Sequence, residues 1–343
     1  MKTLFEATTI KGRTLKNRLF RSATWERLAD GDGRLTPQLL HVYKDLAQGG
    51  VGAIITSALY AEARAGALPG QLGLYDAAGL DGHRRLVATA REAGALILAQ
   101  LAFAGRDGVL WTANDPTPAV LAGLPDYFAR GAALAREAGY DGVQIHSAHG
   151  YFLSQFLSPA ANSRTDAYGG SSEGRRALLM AIYAAVRREV GEDFLLAVKL
   201  DCRDMHETPG VFEECLGAAK ALDAAGIDLV EVSGLGGNKG ICGGKKQVQS
   251  VFRAEAAAVA EAIAAPVILV GANRSPAGME AIVNETAIAY FALSRPLLRQ
   301  PDLPARWLAG STETAACVSC GKCYDEAGNG CFFVRNAAKA AMA

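Results

Sequence analysis

Two imidazoles and a phenol, His146, His149 and Tyr151, fall within one six-residue stretch. They follow an apolar run, Gly142-Val143-Gln144-Ile145, that predicts a short buried strand. Titratable groups are uncommon at buried strand ends unless acid–base or polar-recognition chemistry needs them there. Taken alone, two such histidines more often have structural or helix-capping roles than catalytic ones. The deciding question is what architecture positions this strand end and what it faces.

From residue 18 onward the chain repeats a short β-rich run followed by a helical run. Strands are predicted at 19–22, 53–57, 95–101, 142–146, 195–200, 229–233, 267–270 and 288–293. Helical runs between them end at glycines, as at Gly49, Gly94, Gly139, Gly191 and Gly226, the punctuation that short helix-to-strand connections use. Eight such units admit an open doubly wound sheet or a closed (β/α)8 barrel. The barrel is favoured: the count is eight, no G-x-G-x-x-G follows the first strand, and polar residues recur at strand C-terminal ends. The opening segment, with its short apolar pairs and turn residues, predicts a hairpin, a plug under the barrel. The expected organisation is an α/β fold with one (β/α)8 TIM barrel over 1–310 and a short cysteine-rich C-terminal tail over 311–343.

In a barrel the strand ends share one face. Early and middle strands bring Ser22, Ala23, Thr24, Trp25, Ala58, Gln100, His146, His149, Tyr151 and Lys199 to it. Late strands bring Ser233, Gly234, Gly271, Arg274, Ser294 and Arg295, the backbone-exposing and basic kind that cradles phosphate. A flat phosphorylated ligand spanning the mouth is implied.

Composition excludes other classes. The 343 residues are 50% hydrophobic and 20% charged, with 35 basic and 35 acidic side chains. That balance gives no basic field for nucleic acid or an anionic membrane. No apolar run reaches the roughly 18 residues of a membrane span, and the N-terminus lacks the apolar core of a signal peptide. A cytoplasmic protein is expected. Seven cysteines, an odd number without a secretion signal, argue against a disulfide framework.

The stretch HSAHGYFLSQFLSPAANSRTDAYGGSSEGRR resembles the signature of the Old Yellow Enzyme family, the FMN-dependent NAD(P)H:flavin oxidoreductases and ene-reductases. LKNRLFRSATWE, GGVGAIITSA, AQLAFAGR, LVEVSG, VILVGANRS and FALSRPLLRQPDL are similar to further family blocks, in the family's order. The resemblance spans about residues 3–310 and implies a barrel with FMN at its C-terminal face. It implies that Gln100 bonds the polar edge of the flavin and that Lys199 places a positive charge where the reduced ring becomes anionic. Backbone at Ser22, Ala23, Thr24 and Ala58 would line the ring, and the late-strand set its phosphate. His146 and His149 match the pair that holds the substrate's activating group, and Tyr151 matches the proton donor. NAD(P)H would be the reductant and an electron-poor alkene the acceptor, with a homo-oligomer left open.

Several positions depart from the family pattern. Phe103 stands where a histidine is usual, so the mouth should be more apolar. Trp25 replaces a smaller residue that touches the flavin, and both are assigned to the substrate side. Gly174 replaces an asparagine, a change expected to affect loop packing. The loops 107–124 and 236–251 look short.

The tail carries Cys317-x2-Cys320-x2-Cys323-x7-Cys331, four thiols at chelating spacing for an iron–sulfur cluster or Zn. It is similar to the tail of members allied to 2,4-dienoyl-CoA reductases; free thiols are the alternative. Arg164, Asp166 and Arg175 are expected to brace a loop, Cys202 to be inert packing, and His41 and His83 to lie on the surface. The expected function is hydride transfer from NAD(P)H through flavin to the activated C=C of an α,β-unsaturated carbonyl or related compound. Alternatives are a dienoyl-CoA-reductase-like or demethylating module with an external electron partner, and a non-catalytic flavin electron-transfer protein.

Overall fold

The computed structural model describes residues 1–66, 68–235, 249–325 and 328–342. An antiparallel hairpin, β1 (Thr8–Ile10) and β2 (Arg13–Leu15), comes first. Strands β3 (Leu19–Arg21), β4 (Ala53–Ile55) and β5 (Leu96–Leu101) follow, then a small hairpin of β6 (Gly105–Arg106) and β7 (Val109–Leu110). Next are β8 (Gly142–Ser147), β9 (Leu195–Asp201), β10 (Leu229–Ser233), β11 (Val267–Val270) and β12 (Tyr290–Leu293). Strands β3, β4, β5 and β8 to β12 pair in parallel, in sequence order, and close into a barrel. The tail adds a last hairpin, β13 (Tyr324–Asp325) and β14 (Gly328–Asn329).

The helices are α1 (Pro37–Gln48), α2 (Leu80–Glu92), α3 (Pro118–Ala122), α4 (Leu124–Ala138), α5 (Phe152–Leu157) and α6 (Ser172–Val190). The second half brings α7 (Val211–Ala224), α8 (Arg253–Ala262), α9 (Pro276–Glu285), α10 (Arg295–Arg299), α11 (Leu303–Leu308) and α12 (Phe332–Met342). Their starts follow from capping chemistry. The side chains of Thr36, Ser171 and Ser275 accept from Leu39, Gly174 and Gly278 amides, each satisfying an otherwise orphaned donor. At the other end Gly139 takes the left-handed conformation that closes α4. No helix among the described residues is long and apolar enough to cross a membrane.

The eight predicted barrel strands are all present, with ends shifted by a residue or two. The predicted strand 53–57 stops at Ile55, where Ser57 N–H leaves the ladder for the Tyr43 hydroxyl at 2.8 Å. The short helices α3, α5 and α10, the two small hairpins and α12 were not foreseen. His83 corrects a surface assignment. It is buried, its ring nitrogens 2.8 Å from the Tyr140 hydroxyl and 2.9 Å from the Gly73 carbonyl. The ring is satisfied at both ends, and burial holds it neutral, its pKa pushed down to about 4. The bracing network also divides. Arg164 pairs with Asp166, whereas Arg175 pairs with Glu214 on α7. Gly174 is a packing residue, since a Cβ there would lie 2.1 Å from the Gly169 carbonyl oxygen. Most of the loop 236–251, with Cys242, lies outside the described residues.

Two apolar layers hold the fold. The larger fills the space between barrel and helices. The smaller is the barrel interior, where Phe20, Ala53, Ile55, Leu98, Leu195, Ala197, Leu229 and Ile268 pack with Ile10 and Leu15 of the first hairpin. The hairpin thus plugs the barrel from beneath.

Candidate active site

Side chains alternate along a strand, so the residues two beyond each interior apolar one also point inward. On β9, Leu195 and Ala197 are followed by Lys199; on β10, Leu229 by Glu231; on β5, Leu98 by Gln100. Above its apolar floor the barrel therefore carries a polar layer. Gln100 Nε2 donates to Gln144 Oε1 at 2.7 Å, and Gln144 Nε2 to Glu231 Oε2 at 2.8 Å. The other Glu231 oxygen accepts from Ser22 Oγ at 2.6 Å and from Lys199 Nζ at 3.1 Å. All five are buried. A lone buried charge would be costly, and this closed set satisfies both.

Above that layer lies a cavity of about 620 Å3. It is lined by Ala23, Thr24, Trp25, Ala58, Gln100, Phe103, His146, His149, Tyr151, Lys199, Ser294 and Arg295, with residues of the tail. His146 stands 5.7 Å from His149 and 5.5 Å from Tyr151, ring centre to ring centre. Burial and the Lys199 charge push the His146 pKa down to about 3. The same two causes, then His146 itself, hold His149 well below its usual range. Both rings are neutral near pH 7. Burial raises the Tyr151 phenol, which keeps its proton. The trio can hold and protonate, and it carries no positive charge of its own.

A second cavity of about 310 Å3 adjoins the first, sharing Ala23, His149, Tyr151, Lys199, Ser294 and Arg295. Ser22, Ser233, Gly234, Gly271 and Arg274 line it, so the late strand ends converge on one cavity. Gly271 and Ala272 both have positive φ, 116° and 57°. A Cβ on Gly271 would come 2.6 Å from the Phe252 ring.

Phe103 is locked edge-on among Trp111, Tyr127 and Phe152, at 5.5, 5.3 and 5.0 Å. It walls the cavity with hydrocarbon, in keeping with an apolar mouth. The tail folds back over the opening. Tyr324 lies 5.8 Å from Trp25, Asn329 Nδ2 donates to the Trp25 carbonyl at 3.0 Å, and Asn329 N–H donates to the Glu26 backbone carbonyl at 2.9 Å. Glu26 is itself buried in an ion pair with Arg21 at 3.1 Å.

A family model described as NADH:flavin oxidoreductase / NADH oxidase matches residues 3–125 and 117–313. The chain belongs to that family. An Old Yellow Enzyme homologue from Zymomonas mobilis shares the fold, with a TM-score of 0.77 at 21% identity over 93% of this chain and 96% of the other. A metal reductase of Desulforamulus reducens is 30% identical over 316 residues, 86% of this chain and 47% of the relative. An NADPH dehydrogenase of Geobacillus sp. is 36% identical over 247 residues, 67% of this chain and 72% of the relative. Among solved structures, a 2-naphthoyl-CoA reductase in complex with 2-naphthoyl-CoA superposes with a TM-score of 0.84 at 25% identity. That match covers 94% of this chain and 54% of the other. The chain spans about half the length of the metal reductase and of the naphthoyl-CoA reductase.

The residues of this family member fit FMN, a flat ring system carrying a phosphate. The smaller cavity brings Gly234, Gly271 and Ser294 together with the basic side chains Arg274 and Arg295 at the phosphate end. At the ring end, His146 Nδ1 is buried without a hydrogen-bond partner. The tail cysteines fit a metal less well. Cys317, Cys320 and Cys331 all lie near enough to Cys323 to add to the upward push that burial gives its thiol. Yet no group of three or more His, Cys, Asp or Glu among the described residues is arranged to hold a metal ion. Cys323 lines the larger cavity and Cys317 the smaller.

Sequence reasoning missed Gln144, Glu231, Asp201 and Tyr324. For two of these a signal existed. Gln144 and Glu231 are polar residues inside otherwise apolar strands, at the same inward parity as Gln100 and Lys199.

Proposed function

We propose that the protein is an FMN-dependent oxidoreductase that passes hydride from NAD(P)H to the activated C=C of an electron-poor alkene. The observation that carries this reading is the convergence of His146, His149 and Tyr151 with Gln100 and Lys199 on one cavity. When bound, FMN supplies the hydride-carrying chemistry. Gln100 and Lys199 would hold the polar edge of its ring, with Gly271, Arg274, Ser294 and Arg295 at the phosphate. Because the imidazoles are neutral, His146 and His149 act as hydrogen-bond donors to the acceptor's carbonyl oxygen. Negative charge growing on that oxygen is met by fixed dipoles and by Lys199. The Tyr151 phenol supplies the proton to the second carbon, and Phe103 and Trp25 exclude water beside it.

An absorption spectrum of the purified protein, then stopped-flow reduction by NADH or NADPH and reoxidation with cyclohexenone, tests the reading. Flavin bands, reduction and reoxidation are expected. A colourless protein that gains nothing from added FMN would sink it.

A second reading is a module that receives electrons from a separate partner, as a dienoyl-CoA-reductase-like or demethylating enzyme. The half-length match to longer relatives favours it. Flavin reduction by an external carrier but not by nicotinamide, with iron and sulfide in anaerobically purified protein, marks this case. Reduction without turnover of any acceptor marks a flavin electron-transfer protein instead.

A further inference from the structure

His149 is held at both ends by neighbouring strand ends. Its ring Nε2 lies 2.7 Å from Ser233 Oγ, at the end of β10. Its backbone N–H donates to Asp201 Oδ2 at the end of β9, and Gly150 N–H reaches the same oxygen at 3.4 Å. Asp201 and Ser233 are themselves register partners. The clamped residue needs holding, because His149 has φ +63°, in the left-handed region that a side chain seldom adopts. Gly150 follows at +71°. The carboxylate thus gathers two successive amides of a turn that the chain does not favour by itself. The other oxygen, Asp201 Oδ1, is buried without a partner and borders a separate cavity of about 210 Å3, along with Ser147, Ser154 and Gln155.

We propose that Asp201 is a positioning residue, fixing the His149 backbone so that its ring presents the same edge to the acceptor, and that protonating its carboxyl loosens this hold. The catalytic meaning rests on His149 binding the acceptor; the clamp itself does not. The groups that act on Asp201 are Lys199 on its own strand, the His149 and Gly150 amides from the β8 loop, and Asp204 in the following segment. Cys202 and Cys215 also lie near it, both held protonated by burial. Burial outweighs the amides and Lys199 and pushes the Asp201 carboxyl up to about 7. The clamp is therefore ionised and firm above neutrality and loosens as pH falls through it.

Asp201→Asn keeps an acceptor oxygen and cannot titrate; Asp201→Ala removes both properties. Amide-exchange protection of His149 and Gly150, and the His149 imidazole nitrogen shifts, are read by NMR from pH 5.5 to 8.5 on the protein as purified. Wild type should show a step in both near neutrality. D201N should stay protected and flat with pH, and D201A should lose roughly tenfold in protection, as for one charge-assisted hydrogen bond. Reoxidation by cyclohexenone should follow the same three patterns. If D201A does not fold, D201N decides alone: a wild-type pH step in D201N overturns the proposal, as does unchanged protection in a folded D201A. A protein without flavin would cancel only the reoxidation arm and defeat the functional reading, leaving the NMR result to judge the clamp.

Discussion

Lys199 Nζ sits 3.1 Å from Glu231 Oε1 on the adjacent strand, with 2% and 0% of the two side chains exposed. Removing one partner of such a pair strands the other charge in the barrel. Glu231→Gln should cost about 3–5 kcal/mol of stability, and Lys199→Met a similar amount. The double variant should recover most of the loss, because it leaves no unpaired charge. Denaturant unfolding of the four proteins checks this; additive losses would refute the pairing.

Tyr151→Phe should slow alkene reduction by about 10²-fold or more, the usual worth of a positioned acid, while flavin reduction by nicotinamide stays nearly intact. Single-turnover kinetics of the two half-reactions decide it. Equal loss in both would remove Tyr151 from the role of acid.

Acid should unfold the protein partly through its buried histidines. His83 is lowered from 6.5 to about 4 and His146 to about 3, chiefly by burial. The unfolded chain then binds protons near pH 6.5 that the native state refuses. Their contribution is complete above that pH and is lost as pH falls, by about 1.4 kcal/mol per unit per ring. The Asp201 carboxyl, raised to about 7, opposes one ring over the same window, so the difference is what decides: unfolding free energies of wild type and His83→Gln from pH 7.5 to 4.5 should diverge by one ring's share of this slope.

Tyr324→Ala should open the cavity above Trp25. The ring pair is worth about 0.5–1.5 kcal/mol, so the fold should survive. Trp25 emission should become more quenchable by acrylamide, and bulkier acceptors should gain relative to cyclohexenone. Unchanged quenching and selectivity would mean that the tail does not roof the site in solution.

Much of this molecule was legible in its residues. Eight apolar runs with glycine-punctuated helices give the barrel, because strand and helix periods are local signals. The His146, His149 and Tyr151 cluster announced itself through polarity at a strand end. Glu231 and Gln144 were harder, since their roles depend on which inward side chains the closed barrel brings together from different strands. His83 looked like a surface residue until Tyr140, 57 residues away, supplied its partner. Tyr324 was out of reach altogether: a tail hairpin with no periodic pattern declares its docking partner only in three dimensions.

The tail also decides where any further polypeptide would be delivered. Its hairpin is tied to Trp25 and Glu26 beside the opening, and α12 follows, with Phe333 resting on Arg299. An 11-residue helix is only about 16 Å long. A domain, tag or reporter joined beyond it would start within one helix length of the hairpin at the mouth, whereas one joined ahead of residue 1 would start beside Asn284, to which Lys2 is bonded. Fusions meant to leave the site unhindered belong at the N-terminus, and those meant to bring a redox partner within reach belong at the C-terminus.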